Sequence, residues 1–502
     1  MSTIRKQSII STGIVYFGFA LGGLNTYLFT SAHIGGFTTT EYGLTSLFMS
    51  LASIMFPLAS LGMQSYIYKF YPYYNDNLTP KENDMMTWAL LTSLVGFIFV
   101  IFGGIVFKDF VINQFGKNSP ELVRYYYWAF PFGFGFTFYS LLEALAWQLK
   151  KSVFTSFLKE VLFRVFTLVL IVLSYIGILK DFDTFIKIYA FSYVLLTFFL
   201  LAYLAVKGQL HLPLQRSRVT KKFFKKILAL ISMVWSGQVL FNVSFYFAQI
   251  IIALVVDMGQ VGVYTFALYM GSLLQAIQRS VVAASISPLS TAWKNKDLGR
   301  ISRIYSRSSI NQLIFACCMF VLVWINFNDG ILTFHLQKDY LQARNIFLFI
   351  GLTRIIDMGT GVNSQILGTS TFWRFDFITG IVLICLTLPA NYLLALYLKT
   401  IGPAIADLIT FTIYNAVRYI FLYRKFGMQP FTAKTLYTLL LAFSGYVVCF
   451  YLFDTRHGLE WMVIRSAAFI GIYGSGVLLL RLSEDILPVL QTVKKRLGIS
   501  NK

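Results

Sequence analysis

Long apolar runs separated by short stretches rich in Lys, Arg, Asn, Asp and Pro set the pattern of this chain. Fourteen such runs predict helices α1 to α14 near 8–32, 41–69, 85–107, 123–149, 152–179, 185–206, 227–256, 260–290, 305–327, 341–367, 375–398, 402–423, 434–453 and 461–481. About 20 apolar residues cross a hydrocarbon core of about 30 Å, so each run is long enough to span a bilayer. Without water, every backbone amide must find its partner inside the segment, which makes helix the expected form. A lipid-facing β-barrel needs ten-residue alternation of apolar and polar positions, and the runs have none. The expected fold class is therefore an all-α polytopic membrane protein with 14 transmembrane helices.

Composition agrees: 57% of residues are hydrophobic and 13% charged, which excludes a water-soluble globule. The segment 8–32 is longer than a signal-peptide core and is expected to be retained as α1. Cys317, Cys318, Cys385 and Cys449 lie inside apolar runs, where thiols act as small hydrophobes, so neither disulfides nor a thiolate metal site is expected. The formal charge of +21 could point to nucleic acid, but its placement points elsewhere. Of 42 Lys and Arg, 27 fall in segments on the side of the two termini and ten on the opposite side. By the positive-inside rule both termini are cytoplasmic, and no nucleic-acid partner is expected.

Two string pairs share nearly one offset: TEYGLTSLFMS at 40–50 with GQVGVYTFALYM at 259–270, and QLKKSVFTSF at 148–157 with QILGTSTFWR at 365–374. They divide the chain into an N-terminal six-helix lobe (1–207), a basic cytoplasmic linker (208–226) and a C-terminal six-helix lobe (227–425). Two additional helices (426–481) and a cytoplasmic amphipathic tail (482–502) follow. Six is even, so the copies share one topology and form a parallel pseudo-repeat. The linker sequence RSRVTKKFFKK and the tail, with Ile486, Leu490, Val493 and Leu497 on one face, suit a surface of anionic lipids.

Absent motifs narrow the chemistry. There is no G-x-x-x-x-G-K-[ST] loop for ATP and no H-E-x-x-H pair for a metal hydrolase, and the longest outer loop, 108–122, is too short for a catalytic domain. No catalytic residue, cofactor or metal is expected. Interest moves to charges inside the spans: Lys159, Arg164, Arg279, Arg354 and Arg418, with Glu143, Glu160, Asp357, Asp376 and Asp407. Each costs about 2.5–3.5 kcal/mol at a helix centre on insertion scales, so it should face a cavity or a partner. Glu160 and Arg164 (i,i+4) and Arg354 and Asp357 (i,i+3) can pair along their own helices. Arg279 has no acid within four residues on its own helix; on a continuous α8 it would lie about 28 Å from Gln260 and about 16 Å from Ser290. A guanidinium there could grip phosphate through paired hydrogen bonds, or snorkel, or pair with an acid on another helix. Lys69 could anchor the interface or mark the lip of a cavity. FPFGFGF at 130–136, Pro57, Pro288 and Pro389 mark where helices would bend, and YYYW at 125–128 suits an interfacial aromatic belt.

The opening RKQSIISTGIVYFGFALG, the α2 sequence EYGLTSLFMSLASIMFPLASLGMQSYIYKFYP, and DMGQVGVYTFALYMGSLLQ in the second half resemble the polysaccharide transporter (Wzx-type) branch of the multidrug/oligosaccharidyl-lipid/polysaccharide (MOP) flippase superfamily. The resemblance implies two six-helix bundles forming a V around a central cavity lined by α1, α2, α7 and α8. It also implies the cargo, an undecaprenyl-pyrophosphate-linked oligosaccharide. On the cavity helices, Tyr16, Asn25, Gln238, Asn242, Gln249 and Gln275 could bind sugar hydroxyls or join helices, and Arg279 stands out as the headgroup ligand. Unlike lipid II flippases, α1 carries no basic residue after Lys6.

The expected function is a non-enzymatic lipid-linked oligosaccharide flippase in the bacterial cytoplasmic membrane, working by alternating access and serving cell-surface polysaccharide synthesis. Expected substrate-binding residues are Arg279, Arg354, Arg164, Lys159, Lys69, Asn25, Gln238, Asn242 and Gln275; Asp357, Glu143 and Glu160 would couple an ion. Expected partners are anionic lipids, a polysaccharide polymerase and glycosyltransferases. Two other readings stay open: a cation-coupled multidrug (MATE-type) exporter, and a polytopic glycan ligase or polymerase.

Overall fold

The computed structural model describes residues 3–33, 36–275 and 277–485, with side-chain surroundings for all of these but 3–9, 11, 12, 233, 236, 283 and 373. The amphipathic tail expected at 486–502 lies outside the described residues. Within them the chain is helical, and each expected span has a counterpart. These are α1 (Thr3–Thr30), α2 (Thr39–Ser60 and Met63–Asn77), α3 (Met85–Val106), α4 (Ala129–Gln148), α5 (Ser152–Tyr175), α6 (Phe182–Ala190 and Ser192–Val206) and α7 (Arg218–Val255). Then follow α8 (Met258–Leu274 and Gln278–Lys294), α9 (Leu298–Thr333), α10 (Ala343–Gly359 and Asn363–Gly368), α11 (Trp373–Leu398), α12 (Gly402–Phe426), α13 (Ala433–Phe453) and α14 (Leu459–Leu479).

Nine helical segments among the described residues are long and apolar enough to cross a membrane; one of them runs through α11 and α12 together. They cover ten of the fourteen spans, and the remainder are α1, α5, α8 and α10. Of these, α8 and α10 are each split, and α5 carries Lys159, Glu160 and Arg164.

Contacts divide the chain into two compact units, Met1–Gly262 and Val263–Lys502. In the first, aromatic rings fill the centre. Phe132 of α4 meets Tyr189 and Tyr193 of α6 at 5.3 and 5.2 Å between ring centroids, and Phe163 of α5 meets Tyr193 at 4.9 Å. The helices come close enough for this because of glycine. A Cβ on Gly135 would lie 2.2 Å from the Val194 amide nitrogen, and one on Gly96 would lie 2.1 Å from the Ala59 carbonyl oxygen. FPFGFGF serves close packing, and α4 runs through it without interruption. The proline at 57 is likewise inside α2, and the break comes later, where Leu61 (φ 48°) and Gly62 (φ 80°) take left-handed backbone. Of the expected aromatic belt, Tyr127 is exposed beside Lys108, whereas Tyr125 is buried against Phe182.

Helix α7 begins inside the basic linker, at Arg218. The Ser217 hydroxyl accepts from the Thr220 amide at 3.1 Å and caps it. The buried carboxylate of Asp84 fixes this start, accepting from the Ser217 amide at 2.9 Å, the Thr220 hydroxyl at 2.8 Å and Trp88 Nε1 at 2.9 Å.

In the second unit α13 and α14 pack on α9 through Leu313, Cys317, Val321, Cys449, Phe469 and Tyr473. At the end where α14 stops, Arg307 of α9 holds Glu484 at 2.6 Å, and Asn311 donates to Asp485 at 2.7 Å. No cysteine is disulfide-bonded, and the described residues contain no group of three or more metal-ligating side chains.

Candidate functional site

Unit 1 gathers four of the intramembrane charges where α1, α4 and α5 meet. Residues Phe157–Leu162 of α5 form a π-helical turn, which inserts one residue per turn and commonly marks functional or strained positions. From that turn Lys159 reaches Glu143 of α4 at 3.8 Å, and one turn on Arg164 pairs with Glu160 at 3.0 Å. Both pairs cancel charge that the bilayer would penalise. The i,i+4 pairing expected on α5 is formed; the Lys159 partner lies across the bundle, which spacing along one helix cannot reveal. Arg164 lies along α1, where Gly18 and Gly22 make room: a Cβ on Gly18 would be 2.7 Å from Arg164 Nη1. Asn25 Nδ2 donates to the Arg164 carbonyl at 2.9 Å.

Two amides of α7 bind its neighbour α2, and a third bonds within α7. Gln249 donates to Ser46 at 2.8 Å, Gln238 to Ser65 at 3.3 Å, and Asn242 Nδ2 donates to the Gln238 carbonyl at 2.9 Å. Tyr16 is 51% exposed. Lys69 is exposed on the second segment of α2 and has no ion pair among the described residues.

In unit 2, α8 stops at Leu274 and restarts at Gln278, well before Pro288, where the sequence suggested a bend. Gln275 Nε2 donates to Gln278 Oε1 at 3.1 Å across the gap. Arg279 follows at once; its side chain is exposed and has no ion pair among the described residues. Gln278 Nε2 then donates to Asp357 of α10 at 2.7 Å, and Asn415 Nδ2 of α12 donates to the other oxygen of Asp357 at 3.3 Å. The second break, in α10, adjoins the same group. Gly361 takes φ +65°, Thr360 and Asn363 both donate to Asn415 Oδ1 at 2.9 Å, and the Gly359 carbonyl released by the break accepts from the Ser309 hydroxyl.

The expected i,i+3 pair of Arg354 and Asp357 is not formed. Two neutral amides already occupy the Asp357 oxygens, and Arg354 acts electrostatically on Asp407 and the Tyr264 hydroxyl instead. Asp407 accepts from Asn391 Nδ2 at 3.2 Å, and the Arg354 Nε is buried with no hydrogen-bond partner among the described residues. Asp376 pairs with Arg418, whose guanidinium lies 3.8 Å from the Tyr414 ring centroid. Gln278, Asn363, Asn391 and Asn415 were missed at the sequence level. The available signal was an uncharged amide inside an apolar run, weaker than a formal charge.

Fold and polar sites together define a multi-span membrane protein with ionised and amide side chains held inside its helical units. No family model matches the sequence, and no curated protein matches it. Solved structures do. A lipid II flippase, MurJ, in an inward closed conformation is similar with a TM-score of 0.72 at 16% identity, covering 94% of this chain and 99% of that one. A multidrug resistance MATE family transporter of the MOP superfamily, inward-facing, is similar with a TM-score of 0.61 at 18% identity, covering 82% and 94%. A MATE protein in complex with MaL6 is similar with a TM-score of 0.55 at 16% identity, covering 84% and 96%. The chain thus shares its fold with a solved flippase and with solved transporters.

Proposed function

We propose that this protein flips an undecaprenyl-pyrophosphate-linked oligosaccharide from the inner to the outer leaflet of the cytoplasmic membrane, both termini being cytoplasmic, to supply cell-surface polysaccharide synthesis. The observation carrying this reading is Arg279: an exposed guanidinium beside a break in a membrane helix, with no carboxylate bonded to it among the described residues. The cargo joins an anionic pyrophosphate and a polar glycan to a long hydrocarbon tail, so its head needs a cationic, hydrogen-bonding path while the tail stays in lipid. Hydrogen bonds to charged groups contribute about 1.5–3 kcal/mol each, so a two-pronged arginine contact is a large share of headgroup affinity. Of the other expected ligands, Lys159 and Arg164 already hold carboxylates, and Asn25 and Gln238 already join helices.

A cation-coupled multidrug exporter is the second reading, favoured by the MATE neighbours. It needs an acid in the first half available to a cation, and Glu143 and Glu160 both hold basic partners. Replacing Arg279 separates the two. Arg279→Ala should abolish surface glycan at unchanged protein level, Arg279→Lys should restore part of it, and drug susceptibility should stay constant. Normal glycan display in the alanine variant removes Arg279 from the headgroup site.

A further inference from the structure

We infer that Asp357 is a positioning residue that fixes the break in α8, and through it Arg279, by acting from interrupted α10 as the common hydrogen-bond acceptor for the restarting segment of α8 and for continuous α12. The inference rests on the headgroup reading of Arg279 for its functional consequence, but not for its geometry. An interrupted helix leaves backbone groups without helical partners, and inside a membrane other polar groups must satisfy or hold them. At α8 the restarting segment is held through its first residue. The Gln278 amide takes a bond from Gln275 on its oxygen and gives one to Asp357 from its nitrogen, so one side chain ties the gap after Leu274, the restarting segment and α10. Asp357 in turn is held by Asn415, and Asn415 receives Thr360 and Asn363 from either side of the break in α10. Asn415 is 1% exposed, so solvent cannot replace these bonds. Arg279 is the next residue after Gln278, so any shift or rotation of the first turn of the Gln278–Lys294 segment moves the guanidinium with it.

This role differs from ion coupling: each carboxylate oxygen serves here as the acceptor of an amide hydrogen. A carboxylate is required because it can accept from two amides at once. An asparagine at 357 would present its own N–H₂ to one of them and lose that bond.

Hydrogen–deuterium exchange on the full-length protein in detergent tests the inference, read at the amides of 278–282 with 313–321 of α9 as the internal control. Asp357→Asn and Gln278→Ala should each accelerate exchange at 278–282 by about tenfold or more, the double variant should be no faster than either, and Asp357→Glu should recover part of the protection. Gln278→Ala leaves the carboxylate in place and carries the test alone if Asp357→Asn does not fold. Wild-type exchange in the single variants, or additive acceleration in the double, overturns the inference. Binding of undecaprenyl pyrophosphate, measured on the same samples, should weaken about tenfold in Asp357→Asn. In Arg279→Ala it should be lost with exchange unchanged. Undiminished binding in Arg279→Ala overturns the headgroup reading of Arg279 and leaves the exchange result to decide the role of Asp357.

Discussion

Arg465 of α14 donates to Asp329 of α9 at 2.5 Å, and both side chains are only 7% exposed. Around this pair, Arg465 Nε donates to Asn326 at 3.2 Å, Asn326 Nδ2 donates to Ser466 at 2.8 Å, and His457 Nδ1 lies 2.9 Å from Asp329. The pair joins the last helix to α9 at the end opposite the Arg307–Glu484 contact, so both ends of that packing carry a charged fastener.

Removing Arg465 leaves Asp329 only His457, and removing Asp329 leaves Arg465 only its bond to Asn326; breaking a buried ion pair from one side costs about 3–5 kcal/mol in comparable cases. Arg465→Ala and Asp329→Ala should each lower the thermal transition of the purified protein markedly. An Arg465→Met, Asp329→Leu double variant should recover most of the loss, because apolar replacements of similar volume end the demand for a counter-charge. A double variant no better than the singles would show that the pair is not the source of the loss.

Glycine at 135 brings α4 against α6, and a Cβ there would meet backbone rather than a movable side chain. Overpacking of this kind costs about 1–3 kcal/mol and forces the helices apart. Gly135→Ala should reduce the monodisperse fraction on size-exclusion chromatography. Gly103→Ala, where a Cβ meets nothing within 4 Å, should be neutral.

Hydrogen bonding to Arg307 holds the Glu484 carboxyl below its ordinary value of 4.5. A group whose value is depressed in the folded protein contributes stability above its unfolded value, and that contribution is lost as pH falls through the lowered value. The 482–485 segment should therefore stay on α9 at neutral pH and release only below about pH 4.5. A spin label at position 483 would report release as narrowed lines, with Glu484→Gln mobile throughout.

Asp84 is 0% exposed and accepts hydrogen bonds from the start of α7. Asp84→Ala takes the acceptor from the Ser217 amide and from Trp88 Nε1, while the Thr220 hydroxyl keeps Tyr74 as a partner; a buried polar group left unpaired costs about 1–3 kcal/mol. Limited trypsin treatment should then cleave faster at Arg216 and Arg218, and Asp84→Asn should give an intermediate rate.

The spans were legible because apolar length alone forces helix in lipid, and α3, α4, α11, α12, α13 and α14 begin or end within a few residues of their runs. Interruptions were not. Nothing in Gln275 and Gln278 marks a break, since neither is glycine or proline, whereas Pro288 and Pro389 sit inside helices. Proline signals lost backbone hydrogen bonds, but whether a helix opens depends on which side chains stand opposite. The charged site was legible in part. The Glu160–Arg164 pair follows from i,i+4 spacing, while Glu143–Lys159 and Asp376–Arg418 join different helices and depend on how the bundle folds. Arg354 shows the same limit, because a carboxylate three residues away was already engaged by amides.

The π-helical turn at Phe157–Leu162 sets the facing of everything after it. One extra residue in a helix rotates the following side chains by about 100°. Deleting a single residue within that turn would therefore swing Arg164 off the Gly18 and Gly22 groove of α1, leaving the groove vacant and a cation among acyl chains.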